Sequence, residues 1–107
     1  MHRNTVPKLE FEKVQEGRAL TVRLAGQMNS NTAPGFEAEI SPLLSGIDRL
    51  ILDLEKLDYI SSAGLRVLLA FEQDMEAADK TMVLTNVNSI ILDVFDVVGF
   101  LDILTIE

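Results

Sequence analysis

The run Leu50-Ile51-Leu52-Asp53-Leu54 places four apolar side chains in five positions and constrains the fold more than any other segment. A strand with one face in water alternates apolar and polar residues, so this run reads as a central strand covered on both faces. Strand and helix patterns alternate around it. Leu9-Glu10-Phe11-Glu12-Lys13-Val14 alternates as an edge strand, Glu16-Gly17 supplies a turn, and Leu20 to Leu24 returns as the hairpin partner. Gly26 to Thr32 reads as a polar loop. Thr32 is placed to cap a first helix that carries Pro34 in its opening turn and runs to about Leu44, with Gly46 just beyond. A second helix is expected from about Ser62 to Ala78 and a strand over Thr81 to Thr85. Asn88 or Ser89 caps a third helix from Ile90 to Val98, which Gly99 and Phe100 stop in the Schellman manner. Ile103 to Ile106 is expected as a last short strand. The sum is an α/β domain: an opening β-hairpin, then alternating helices and strands, in a mixed sheet with packed helices.

Composition narrows the class. A chain of 107 residues, 48% hydrophobic, suits one core, with residues 1–8 expected as a flexible N-terminus and residues 9–107 as the domain. No apolar run is long enough to cross a membrane, and residues 1–8 lack the apolar segment of a signal peptide, so a cytoplasmic address is expected. Cysteine is absent, which removes disulfides and thiol chemistry. Seventeen acidic against nine basic side chains give a formal charge of −8. That charge repels nucleic acid and anionic lipid and favours basic protein partners; equally, it serves solubility alone.

The segment Tyr59-Ile60-Ser61-Ser62-Ala63-Gly64-Leu65 joins the apolar strand to the longest helical pattern. Hydroxyls at a helix start lie beside unpaired backbone N–H groups, where negative charge is stabilised. Such a hydroxyl can cap the helix, attack as a nucleophile or accept a phosphate. The nucleophile reading is poor. A G-x-S-x-G elbow would need glycine where Ile60 stands, and the only histidine is His2, at the chain's start. No glycine-rich run leads into Lys and Ser or Thr, and Asp53 with Glu55 looks like a solvated loop pair. A chain without cysteine or clustered histidine offers no metal site, and no cofactor is indicated. Capping by Ser61 or Ser62 would contribute about 1 kcal/mol and leaves the second small polar residue unexplained.

At about 100° per residue, Val67, Leu68, Phe71, Met75 and Ala78 share the core-facing arc of the second helix. Leu65 and Leu69 continue that arc toward Glu72 and Glu76. Two readings stand: a shoulder on which a partner docks beside the serines, or leucines buried under the third helix.

At these residues the chain resembles the STAS family, and within it the bacterial anti-sigma factor antagonists. The resemblance is carried by Leu24 to Asn29 leading to Thr32-Ala33-Pro34, by Leu50 to Leu54, by Ile60 to Leu65, and by Asn88 to Gly99 with Phe100-Leu101. In such antagonists the turn is commonly Asp-Ser-Ser/Thr-Gly-Leu, and the serine after the aspartate is phosphorylated. Carried over, the phosphoacceptor falls on Ser62, with Ser61 as the alternative. Ser61 occupies the aspartate position, Ala63 replaces the second hydroxyl residue, and Asn29 stands where the preceding loop commonly has another aspartate. The resemblance implies a partner switch. The unphosphorylated domain binds an anti-sigma factor that is also a serine kinase, phosphorylation of Ser62 ends the complex, and a serine phosphatase restores it. The implied partner surface comprises Asn29, Ser30, Asn31, Thr32, Ser61, Ala63, Gly64, Leu65, Leu69 and Glu72. The domain is expected to act as a monomeric regulator rather than an enzyme. The other reading is an unphosphorylated STAS adaptor or regulatory subunit, for instance on a transporter ATPase.

Overall fold

The structure, a computed structural model, describes residues 8–107. Apart from Lys8, the terminus expected to be flexible lies outside the described residues. Strands β1 (Leu9–Glu16), β2 (Ala19–Met28), β3 (Arg49–Ile60) and β4 (Thr81–Thr85) alternate with helices α1 (Ala33–Ile40), α2 (Ser62–Ala77) and α3 (Ser89–Val98). The four strands form one mixed sheet in the order β1-β2-β3-β4, the first pair antiparallel and the others parallel. Gly17, at φ 62, takes the first central position of the two-residue hairpin turn, where positive φ matches the strand twist.

The inner face of the sheet carries Leu20, Val22 and Leu24 from β2, Leu50, Leu52 and Leu54 from β3, and Met82 and Leu84 from β4. Phe36 and Ile40 of α1, Phe71 and Met75 of α2, and Ile91 and Phe95 of α3 join them in one cluster. Phe36 sits at its centre, edge-on to Phe11 at 5.1 Å between ring centroids and tilted to Phe71 at 5.8 Å. Contrary to the sequence expectation, β3 is covered on one face only. Ile51 and Asp53 point the other way and are half-buried, and Asp53 ties that outer face together by accepting from Asn86 Nδ2 at 3.1 Å.

Four element boundaries differ from expectation for physical reasons. β3 runs six residues past Leu54, to Ile60. Its register against β2 slips twice: Arg23 pairs with Asp53 but Ala25 with Lys56, and Gly26 pairs with Leu57 but Gln27 with Tyr59. Each slip adds one residue to β3, so the inward positions become Leu54, Leu57 and Ile60 and the alternation disappears. β2 likewise continues to Met28 through Gly26, whose φ is 111; a Cβ there would stand 2.2 Å from the Lys8 carbonyl oxygen. α1 ends at Ile40 and passes into a 3-10 turn, Ser41–Gly46, because Pro42 has no N–H to continue the α ladder. The last strand reduces to a single parallel bridge between Leu84 and Ile106, after a 3-10 turn over Phe100–Asp102. The local signals of the third helix hold. Asn88 Oδ1 accepts from Ile91 N at 3.0 Å, and Gly99 closes α3 at φ 80.

Candidate functional site

β2 and β3 end side by side, Met28 opposite Ile60, and each chain leaves the sheet there through one of the two loops singled out by sequence. The crevice outside the carboxyl ends of parallel strands is where open α/β sheets bind ligands. Ser61 N–H donates to the Met28 carbonyl at 2.8 Å and so holds the serine turn against the start of the Asn29 loop.

Within that loop the expected cap changes identity. Thr32 makes no side-chain cap to α1. Instead Asn29 Oδ1 accepts from Asn31 N at 2.9 Å and Thr32 N at 3.1 Å, and Thr32 Oγ1 accepts from Asn29 N at 2.8 Å. The exchange is reciprocal, as in a capping box, and the Ala33 N–H donates to the Asn29 carbonyl at 2.9 Å, which extends the helical pattern back to Asn29. Thr32 Oγ1 also donates to the Gln27 carbonyl at 2.8 Å. An aspartate at position 29 would make the same two acceptances, so asparagine preserves the loop geometry and removes only the charge. Ser30 and Asn31 are exposed at the tip.

The two serines occupy different environments. Ser61 has extended backbone, with ψ 178, and its carbonyl accepts the Leu65 N–H at 2.9 Å, but its hydroxyl makes no cap. Ser61 Oγ is buried without a hydrogen-bond partner, whereas Ser62, the first residue of α2, is exposed. The first turn of this 16-residue helix therefore begins without a side-chain cap from Ser61. Ala63 is half-buried. Gly64 is buried where nothing larger fits: a Cβ would meet Ile60 Cγ1 at 2.7 Å and Met28 at 2.9 Å.

Val67, Leu68, Phe71 and Met75 are buried as the helical spacing required, while Ala78 falls beyond α2 and is exposed. Leu65, 9% exposed, belongs to the core, so the shoulder next to the serines does not include it. Leu69 and Glu72 are half-buried and lie further along α2. Burial, with Glu76 adding to it, raises the Glu72 carboxyl above the usual glutamate range.

Two residues at this end escaped the sequence reading. Tyr59 is 48% exposed at the end of β3, and Arg66 is exposed four residues after Ser62, on the same side of α2. The signal for Arg66 was its i, i+4 spacing from the serine. Tyr59 gave none, because the second slip in β3 decides which way it faces. Of Asp53 and Glu55, weighed as a carboxylate pair, Asp53 serves the backbone: its Oδ1 accepts from Glu55 N at 3.0 Å at the first slip. Among the described residues no helix is long and apolar enough to cross a membrane.

The STAS domain family model matches residues 10–107. BtrV of Bordetella bronchiseptica, named as an anti-sigma factor antagonist, is 38% identical over 97 residues, covering 90% of this chain and 82% of BtrV. A crystal structure of an anti-sigma factor antagonist from Mycobacterium paratuberculosis has a TM-score of 0.83 at 16% identity, over 92% of this chain and 85% of that one. The Bacillus cell fate determinant SpoIIAA in its phosphorylated form has a TM-score of 0.74 at 20% identity, over 92% and 91% of the two chains. The fold is thus SpoIIAA-like, and the chain belongs to the STAS domain family, among relatives named as anti-sigma factor antagonists.

Proposed function

We propose that this protein is an anti-sigma factor antagonist that binds an anti-sigma factor with serine kinase activity and is released when Ser62 is phosphorylated. The carrying observation is the contrast between the serines: Ser62 is exposed at the start of α2, while Ser61 Oγ is buried. In this reading the partner covers the carboxyl ends of β2 and β3, meeting Ser30 and Asn31 of one loop and Ser62 and Ala63 of the other. Asn29, Thr32, Ser61, Gly64 and Leu65 shape that surface from beneath. A serine phosphatase returns the domain to its binding state, and the domain works as a monomer in the cytoplasm, regulating sigma-factor-dependent transcription.

The electrostatics suit a switch without refolding. Phosphorylation adds about −1.5 to −2 charges and three acceptor oxygens at a helix start, where backbone N–H groups and Arg66 are near. The same charge must be desolvated in a complex, and a loss of about 3 kcal/mol weakens binding more than about a hundredfold. Ser62→Asp is expected to keep the native spectrum and lose binding to the anti-sigma factor by that order, whereas Ser62→Ala binds and cannot be phosphorylated. Equal binding by wild type and Ser62→Asp would sink the proposal.

The adaptor reading is favoured by one observation: Ser61 and Asn29 place neutral groups where the resemblance expects aspartates. Phosphopeptide mapping of the protein from its host, across growth conditions, separates the two. Phosphate on Ser62 supports the switch, phosphate on Ser61 alone moves the acceptor, and none in any condition supports the adaptor.

A further inference from the structure

The second half of α2 borders an open groove of about 530 Å³ lined by Leu69, Glu72, Gln73, Glu76, Ala77 and, from the C-terminal segment, Ile103. Its apolar walls are Leu69, Ala77 and Ile103, the last 47% exposed. Glu72 Oε1 is shut away from solvent here and has no hydrogen-bond partner, an arrangement that native structures rarely leave unexplained. Glu76, four residues on, brings a like charge to the same side of the helix, which the helix alone would disfavour. Neither carboxylate belongs to an ion pair among the described residues. Arg49 and Lys80 line the adjoining cleft with the same two carboxylates, but Arg49 pairs with Glu107 at 3.4 Å and Lys80 Nζ donates to the Leu44 carbonyl at 2.8 Å, and the chain has no Lys, Arg or His after Lys80.

We propose that this groove is a docking site for a segment of another protein that presents an arginine or lysine between apolar residues. The aliphatic stem lies along Leu69, Ala77 and Ile103 while the cationic head reaches Glu72 and Glu76. That placement sets a cation against the two carboxylates and relieves the repulsion between them. A second copy of this chain fits poorly, since both copies carry the net charge of −8. The groove lies ten residues beyond Ser62, about 15 Å along the helix at 1.5 Å per residue, and its occupation does not depend on phosphorylation.

The test is a titration of the ¹⁵N-labelled protein, followed by amide shifts, with two synthetic helical peptides. One carries leucine and arginine at i, i+4 spacing, and the other has glutamate for each arginine. The arginine peptide is expected to shift Leu69, Glu72, Gln73, Ala77 and Ile103, and the glutamate peptide to bind at least about tenfold more weakly. Glu72→Gln and Glu76→Gln, both near-isosteric, are each expected to weaken the arginine peptide several-fold with the rest of the spectrum unchanged. Ser62→Asp should bind it as wild type does, which keeps this site separate from the serine turn. The proposal is overturned by an absence of shifts at millimolar peptide, by shifts centred elsewhere, or by equal binding of the two peptides. Concentration-dependent shifts of the same residues without peptide would assign the groove to a second copy and overturn it as well.

Discussion

Asn88 is the side chain on which the geometry of β3 depends most directly. Its Nδ2 group donates to the carbonyls of Leu54 at 3.1 Å, Glu55 at 3.2 Å and Leu57 at 2.8 Å, and its Oδ1 accepts from Ile91 N at 3.0 Å. One side chain thus caps α3 and clamps the first slip of β3, which in turn sets the inward positions leading to the serine turn. Losing the cap costs about 1 kcal/mol. Losing two N–H donors to partly buried carbonyls costs about 2 kcal/mol more at about 1 kcal/mol each. Asn88→Ala is therefore expected to destabilise by about 3 kcal/mol. Asn88→Ser keeps a good cap and loses only the clamp, at about 2 kcal/mol. At about 2.1 cal/mol/K of unfolding entropy per residue, these are Tm losses of about 13 and about 9 °C for a chain of this size. Urea unfolding and calorimetry read both. A Ser variant as stable as wild type would refute the clamp, and Ala and Ser variants of equal stability would refute the cap.

Other expectations are more local. Gly64→Ala forces a Cβ to within 2.9 Å of Met28 and 2.7 Å of Ile60 Cγ1 and should destabilise by about 1–3 kcal/mol, measured by urea unfolding. Gly35→Ala meets nothing within 4 Å in α1 and should stabilise by about 0.4–1 kcal/mol; a loss there would contradict the described helix. Because burial raises the Glu72 carboxyl, the charged form is disfavoured in the folded state, and this destabilisation grows as pH rises through the ordinary range near about 4.3 and the raised folded one. Glu72→Gln should thus raise Tm at neutral pH, with the gain shrinking as pH falls below that range; a gain independent of pH would exclude the carboxylate as its source. In the protein phosphorylated at Ser62, Arg66→Gln should move the second phosphate ionisation upward from its value with Arg66 present, seen by ³¹P titration. An unmoved titration would place Arg66 outside the phosphate's reach.

What could be read directly from the chain was whatever neighbours in sequence decide. The periodicity of Val67, Leu68, Phe71 and Met75 placed α2, Asn88 and Gly99 marked the ends of α3, and Thr81 to Thr85 stood as a strand because β-branched and apolar residues meet there without a turn signal. The serine turn was legible for the same reason: Ser61, Ser62 and Gly64 lie within one helical turn and need no distant partner to be noticed.

Tertiary pairing decided the rest. The two extra residues of β3 exist only relative to β2, and the side chain that fixes the first of them, Asn88, lies more than thirty residues away. A pattern of Leu54, Leu57 and Ile60 therefore looks like the end of a strand until its partner supplies the missing register. The single covered face of the sheet, the burial of Leu65, and Asn29 in place of Thr32 as the effective cap follow likewise from how elements meet. Most consequential is the difference between Ser61 and Ser62. Two identical side chains in succession are indistinguishable by composition, and only the hydrogen bond from Ser61 N to Met28 O, by seating one residue against the sheet, leaves the other open to solvent.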